Sequence, residues 1–285
     1  MCLRKMKRFN HHTHSYFCDG SSAPEEYVSE AIYLVFSTLG FSSHAPVPFK
    51  NTFALKEERK PEYQQTIREL QTRYAGQLEI YLGLEIDYIP GLSRDFDFYR
   101  NDMGLDFVIG GVHLVKSGEE GLWFIDGPHF ETYDQGLEEI FHGDIRKGVK
   151  TYYQSVCDMI TTQKPDVVAH VDKIKMHNGG RFFTEDEPWY IALVEEAIEV
   201  IAQSGSIVEI NSRGIYKKRC PDLFPSLDIL KKLNRLKVPV TFSSDAHIPS
   251  ELNIGLDLCA ATAIEAGYKE VCFLSNGKWE AVGIS

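Results

Sequence analysis

The chain has 285 residues, of which 43% are hydrophobic, 25% charged and 12% aromatic, a balance that supports a substantial core in one large domain or two small ones. Thirty Lys and Arg against 41 Asp and Glu leave a net charge of −11. That excess argues against a broad nucleic-acid footprint, while an anionic substrate stays open because bound cations can dominate a local field. No apolar run approaches the ~18–20 residues that span a bilayer. The basic start MCLRKMKRFN meets no signal-peptide core. Six cysteines (Cys2, Cys18, Cys157, Cys220, Cys259, Cys272) stand far apart without a CxxC pair, so the expectation is reduced thiols in a cytoplasmic protein, with no membrane or nucleic-acid partner.

No repeat, low-complexity tract or Pro/Gly/Ser linker divides the chain. Short apolar runs alternate with helical patterns, which predicts an α/β fold. The first strand is expected over Arg8–His14. A helix follows, opened by Ser22-Ala23-Pro24-Glu25 as a capping box and continued by Tyr27, Val28, Ala31, Ile32, Leu34 and Val35. Strands at Thr38–His44, Glu79–Ile86 and Phe107–His113 enclose a helix over roughly Glu57–Tyr74. A long insertion, about 116–148, precedes a helix near Lys150–Thr162 and a strand at Val167–His170. Thr184 and Glu187 then bracket a helix start, with Tyr190, Leu193, Val194, Ala197, Ile198 and Ile201 on one face and Gly205 as the stop. Strands at Ile207–Asn211 and Val238–Asp245 alternate with helices at Ser226–Leu236 and Ile254–Ala266, and Asn276-Gly277 marks a closing hairpin. Seven βα units predict a barrel-like parallel sheet, in which ligands gather at the carboxyl ends of the strands.

Those ends are where reactive side chains recur. On a strand, residues i and i+2 share a face, so His12 and His14 aim at one point while His11 and Thr13 face away. His44, Glu85, His113, His170, Asn211 and Asp245 close the following runs, and Asp19 and His247 sit just beyond. Each alone reads equally as a core histidine or a carboxylate satisfied by backbone. Together they include six of the ten histidines and three carboxylates, and gathering that much ionisable chemistry without cations is costly. Nine N/O ligands without a thiolate exceed one tetrahedral zinc site and suit two or three divalent ions of the Zn, Mn or Fe type.

The ordered segments HTHSYFCDG, FSSHAP, GLEIDY, GGVHLV, VVAHVD, EINSRG and FSSDAH, running from Phe9 to about His247, resemble the motifs of the polymerase-and-histidinol-phosphatase (PHP) family, and within it the stand-alone histidinol-phosphatases. The resemblance implies a distorted (β/α)7 TIM-like barrel spanning 1–285 as one catalytic domain, with a trinuclear metal centre. It places His12, His14, Glu85 and Asp245 on a first ion. Glu85 would bridge to a second ion held by His113 and His170, and Asp19, His44 and His247 would hold a third. Cys18 departs from the family's usual serine and is either an occasional ligand or a spectator thiol. The activity implied is hydrolysis of a small phosphate monoester, L-histidinol phosphate giving L-histidinol and phosphate. The alternatives are a PHP phosphoesterase for nucleoside monophosphates or other small esters, and a non-catalytic metal-bound module.

Three further readings concern substrate. Arg213 either forks onto phosphate oxygens or belongs with Lys217, Lys218 and Arg219 to a solvated basic loop. The 116–148 insertion, holding Trp123, Phe124, Phe130, Tyr133 and Phe141, is either a lid over the site or a surface elaboration with its own small core. As a lid it would offer aromatics to a flat ring and carboxylates to an amine, and bring Arg146 to the phosphate. His247 is a candidate proton donor to the leaving oxygen, whereas His129, His142 and His177 are expected in surface or loop roles. The pattern sets no oligomeric state.

Overall fold

In the computed structural model, residues 7–118 and 121–284 are described. In chain order the elements are β1 (Phe9–Asn10), α1 (Pro24–Tyr33), β2 (Thr38–Phe41), α2 (Lys60–Arg73), β3 (Glu79–Asp87), α3 (Phe96–Met103), β4 (Phe107–Gly111), β5 (Leu114–Lys116) and β6 (Leu122–Phe124). There follow α4 (Phe130–Phe141), α5 (Ile145–Gln163), β7 (Val167–Val168), α6 (Pro188–Ser204), β8 (Ile207–Asn211), α7 (Arg213–Tyr216), α8 (Leu227–Arg235), β9 (Val240–Ser243), α9 (Leu256–Glu265), β10 (Glu270–Ser275) and β11 (Lys278–Gly283).

Seven strands pair side by side in the order β1-β2-β3-β4-β7-β8-β9, every pair parallel. The first and last meet beyond their ladders. Thr13 bridges Ala246, the His14 amide donates to the Ala246 carbonyl at 2.8 Å, and the Ala246 amide donates to the His12 carbonyl at 3.2 Å. The sheet is therefore a nearly closed, distorted α/β barrel of the TIM-like kind, as expected. Alternation divides its interior into two ends. Tyr81, Phe107, Ile109, Val167, Ala169 and Ile207 form an apolar cluster toward the amino ends, capped by Leu274 and Trp279 of the β10–β11 hairpin. The same inward face then passes through Gly83 to Glu85 and through Ile207 to Glu209, so polarity rises toward the carboxyl ends.

The expected helices differ from expectation mainly at their starts, and α3, α4 and α7 were not expected. The N-cap of α1 is Ala23, whose amide donates to Glu26 at 3.0 Å, so Glu26 closes the turn; Glu25 pairs with Arg73 at 2.7 Å instead. This helix ends at Tyr33, two residues short of Val35, whose φ of 60° breaks the spiral. α5 begins earlier than its apolar spacing suggested, because Asp144 accepts from the Lys147 amide at 3.0 Å and caps it there. Glu187 does accept from the Thr184 amide at 3.0 Å, but the helix itself starts at Pro188. Gly205 (φ 78°) stops it as expected, and Asn276 and Gly277 (φ 50° and 70°) make the predicted hairpin turn.

Within the insertion, β5 and β6 form an antiparallel hairpin, followed by α4. Trp123 is fully buried against Tyr133 and Phe141, with ring centroids 4.6 and 5.4 Å away, and its indole N–H donates to the Tyr133 carbonyl at 2.8 Å. The small-core reading of this segment thus describes its outer part; Glu119 and Glu120 lie outside the described residues. Cys18, Cys157, Cys220, Cys259 and Cys272 are free, and Cys2 lies outside the described residues. No described helix is long and apolar enough to cross a membrane.

Close approach between β3 and the base of the barrel makes one glycine essential. A Cβ on Gly83 would sit 2.5 Å from the buried Phe107 ring. Gly83→Ala is expected to lower stability by about 1–3 kcal/mol through overpacking, read as a reduced urea midpoint with an unchanged m-value.

Candidate metal centre

The site is built outward from Glu85, near the carboxyl end of β3 and 1% exposed. One carboxylate oxygen, Oε2, lies 3.1 Å from His12 Nε2, 3.1 Å from His44 Nδ1 and 3.4 Å from His14 Nε2. The other, Oε1, lies 3.1 Å from His170 Nε2 and 3.5 Å from His113 Nε2. Asp245 Oδ1 is 3.3 Å from His14 Nε2, 3.4 Å from His247 Nδ1 and 3.8 Å from His12 Nε2. Asp19 Oδ1 reaches His247 Nε2 at 3.2 Å, with His14 Nδ1 and His44 Nε2 at 3.8 and 3.9 Å. All nine side chains singled out in the sequence are therefore brought together.

Three sets present ligand atoms within 4.8 Å of one another: His14, Asp19, His44 and His247; His12, His14 and Asp245; and His44, Glu85 and His113. This grouping makes His14 and His44 common to two sets, a sharing that the motif order did not suggest. Several of these atoms are buried without a hydrogen-bond partner among the described residues: His12 Nε2, His14 Nε2, His44 Nδ1 and Asp245 Oδ1. Unpaired nitrogens and carboxylate oxygens in one dry place are costly as a purely protein arrangement, and the donor set is the one divalent transition ions take. The residues fit the ions.

Electrostatics point the same way. Burial alone would raise the pKa of Glu85 and of Asp245, but His12 and its neighbours outweigh it and hold both well below the usual carboxylate range. Burial, with His247 and His44 alongside, holds His14 down at about 3, leaving a neutral ring with a free nitrogen. His12 goes the other way: burial opposes its charge, but Glu209, Glu85 and Asp245 raise its pKa well above the ordinary value. His113 follows it to about 9, against burial, because of Asp87 and Glu85. Protonated imidazoles here supply positive charge that cations would otherwise carry.

Two carboxylates behind the histidines were missed in the sequence. His12 Nδ1 donates to Glu209 at 2.5 Å, and Glu209 also accepts from Ser243 Oγ at 2.5 Å, Asn211 Nδ2 at 3.1 Å and the His170 amide at 3.2 Å. His113 Nδ1 donates to Asp87 at 2.6 Å. Each bond fixes the tautomer so that Nε2 points inward. The signal was available: Asp87 stands two residues after Glu85, and Glu209 two before Asn211, each on the same strand face. Backbone strain completes the aim. His170 and Asp245 hold φ of 25° and 52°, costing roughly 1–3 kcal/mol each.

A cavity of about 270 Å³ opens onto this cluster, lined in part by Asp19, His44, Glu85, His113, Asp245 and His247. Arg213, the first residue of α7, also lines it, and donates to the Asp245 carbonyl at 2.6 Å and Tyr216 Oη at 3.2 Å. Burial opposes its charge, but Asp245 and Tyr216 keep it firmly cationic. Arg146 is not brought here: it is 68% exposed, stacks on Trp189 at 5.3 Å and lies 3.4 Å from Glu187, since the start of α6 holds it outside. Arg219, expected at the surface, lines the cavity instead, as do Lys173, Phe53 and, from the insertion, Phe124 and Asp126. Phe53 and Phe124 are near-parallel, 6.2 Å apart at 10°. Lys173 lies one turn beyond His170, a spacing that could have flagged it; nothing in the sequence flags Asp126. Cys18 Sγ lies 3.4 Å from His14 Nδ1, its thiol pushed up to about 11 by burial and Asp19. His129 and His142 are exposed, and His177 bonds the Gly127 carbonyl at 2.8 Å.

A family profile described as PHP domain matches residues 10–213. A Deinococcus radiodurans protein named "Probable histidinol-phosphatase" is 27% identical over 265 residues, covering 92% of this chain and 95% of its own. The histidinol-phosphatase of Bacillus subtilis is 26% identical, covering 85% of this chain and 94% of its own. A crystal structure of histidinol phosphate phosphatase from Lactococcus lactis, complexed with zinc, L-histidinol and phosphate, superposes with a TM-score of 0.67 at 20% identity, covering 97% of this chain and all (100%) of that one. At that identity the structural likeness establishes the fold.

Glu209→Gln keeps the shape and removes the charge behind His12. It is expected to weaken divalent-ion affinity by roughly 10–100-fold, measured by competition against a chromophoric chelator. An affinity equal to that of the unaltered protein would reduce Glu209 to a sheet-packing residue.

Proposed function

The chain belongs to the PHP family, and on that premise we propose that it is a metal-dependent phosphomonoesterase that hydrolyses L-histidinol phosphate to L-histidinol and phosphate. The observation that carries this reading is the convergence of nine imidazole and carboxylate side chains, centred on Glu85, at the floor of one small cavity. The substrate comes from the relatives: proteins named histidinol-phosphatase align along most of the chain, and the Lactococcus structure was solved with L-histidinol and phosphate. We take 1–285 as one catalytic unit, and the five cysteines among the described residues are unpaired, which suits the cytoplasm.

Two or three ions of zinc, manganese or iron would be held by His12, His14, Asp19, His44, Glu85, His113, His170, Asp245 and His247. Zinc is favoured by its presence in the Lactococcus protein. Bound there, such ions supply Lewis-acid charge and a water acidic enough to be a nucleophile near neutral pH. The chain's own residues do the rest. Arg213 presents its guanidinium to the cavity, where it can orient phosphoryl oxygens and meet charge as it develops. His247 lines the cavity with Nδ1 on the Asp245 carbonyl at 3.0 Å, which leaves Nε2 either to hold an ion or, protonated, to donate to the leaving oxygen. Phe53 and Phe124 offer apolar faces to a flat ring, a role foreseen for Phe124 among the insertion's aromatics and not for Phe53. No protein nucleophile is required.

Purified protein should release phosphate from histidinol phosphate at least 100-fold faster than from AMP or a phosphodiester; equal rates across the panel would remove the substrate assignment. Elemental analysis of the same sample should find two to three transition ions per chain, and full activity after exhaustive chelation would end the metal-dependent reading. His14→Ala and Asp245→Asn should cut turnover by more than 10³-fold while far-UV dichroism stays unchanged. Arg213→Ala should lower kcat/KM by about 10²-fold, and an unaltered value would leave that arginine as a structural tie to Asp245.

A further inference from the structure

Lys173 is a buried cation in the cavity wall that neither the motifs nor the proposed ion set uses. It opens the 3-10 turn Lys173–Lys175 that follows His170. Its side chain is only 3% exposed, and it borders the cavity. An ammonium so removed from water needs compensation. Asp126 provides part of it, with Oδ2 2.7 Å from Nζ. But Asp126 is shared, because its other oxygen lies 3.9 Å from the Arg219 guanidinium. One carboxylate therefore faces two cations on this side of the cavity.

On its other side the ammonium meets the metal centre. Lys173 Nζ lies 3.5 Å from His113 Nε2, a nitrogen that the proposed function gives to an ion. A lysine cation beside a metal-ion ligand is repulsive unless an anion comes between them. An ammonium has three donors and no acceptor, so it suits an oxygen-rich anion as a point charge. A phosphate monoester carries close to two negative charges at neutral pH, and its oxygens would stand between this ammonium and the ions.

We infer that Lys173 is a phosphate-binding residue of this site, its charge countered by Asp126 when no phosphate is bound, and acting with Arg213 and Arg219 on the phosphoryl oxygens. The inference rests on the proposed reading of the site as a phosphomonoesterase. The competing account is that Lys173 and Asp126 only tie the insertion to the turn after β7.

Inorganic phosphate, titrated calorimetrically into the zinc-loaded protein, separates the two, with wild-type turnover of histidinol phosphate measured in parallel. Lys173→Met should weaken phosphate binding at least tenfold while zinc content is retained, and Lys173→Arg should restore it to within about threefold. A folded, zinc-loaded Lys173→Met variant that binds phosphate as the wild type does overturns the inference, and so does a wild type that binds none. Should Lys173→Met fail to fold, Asp126→Asn decides. With its carboxylate gone, phosphate becomes the anion beside the ammonium and binds at least threefold tighter; equal or weaker binding overturns the assignment. A wild type that binds phosphate through Lys173 yet leaves histidinol phosphate intact would cost the substrate reading alone.

Discussion

Five imidazoles stand within 3.5 Å of a single buried carboxylate, Glu85, and the rest of the site follows from what that carboxylate demands. A carboxylate taken out of water must be met by positive charge or become protonated. Glu85 stays ionised, so its surroundings must supply the charge. Histidine can do so in two ways, by taking a proton or by binding a cation, and the two leave different traces. His12 and His113, each backed by a second carboxylate, hold protons tightly, whereas His14 and His170 are pushed toward the neutral form. A ring of mixed protonation around one anion is what remains when charge has to be improvised from protons. Divalent ions satisfy the same demand directly and also fill the unpaired nitrogens.

The barrel explains how the demand can be met at all. Parallel strands end on one rim, so side chains from the first strand to the last can share a volume of a few ångströms although more than 230 residues separate His12 from Asp245 in the sequence. Stability and chemistry are separated along the same strands. Phe107 and Ile109 pack the lower barrel with Trp279 and Leu274, and polarity begins only above them. The positive φ at His170 and Asp245 shows that the rim is where the fold yields to the site, because strain there is offset by packing beneath.

The sheet order and the nine converging side chains were legible because both follow from period-2 alternation and from the repeated placement of a polar residue at the end of an apolar run. Other parts were hidden for identifiable reasons. Glu209 and Asp87 obey the same alternation, but each sits beside a more conspicuous neighbour, and a carboxylate acting through a histidine has no spacing of its own. The start of α5 depended on a side-chain cap at Asp144, which apolar periodicity does not register. Arg146 and Arg219 are chemically alike in sequence, and only three-dimensional neighbours separate them: Trp189 and Glu187 keep the first outside, while Asp126 draws the second in.

The insertion divides the two expectations held for it, and the division has a functional sense. Its outer part is a packed body rather than a loose flap. Trp123 is buried, and a Cβ on Gly136 or Gly148 would strike its ring at 2.4 or 2.7 Å, so both α4 and α5 lie tight against the indole. Its inner end carries Phe124, on the strand that holds Trp123, and Asp126, two residues beyond it, to the cavity. Residues borne on a packed hairpin keep their positions better than residues on a free loop, and precise placement is what selective binding of a small polar ester requires. Under the proposed function, the rim of the barrel would supply groups for chemistry common to any phosphate monoester, while the insertion would supply the shape that tells one ester from another.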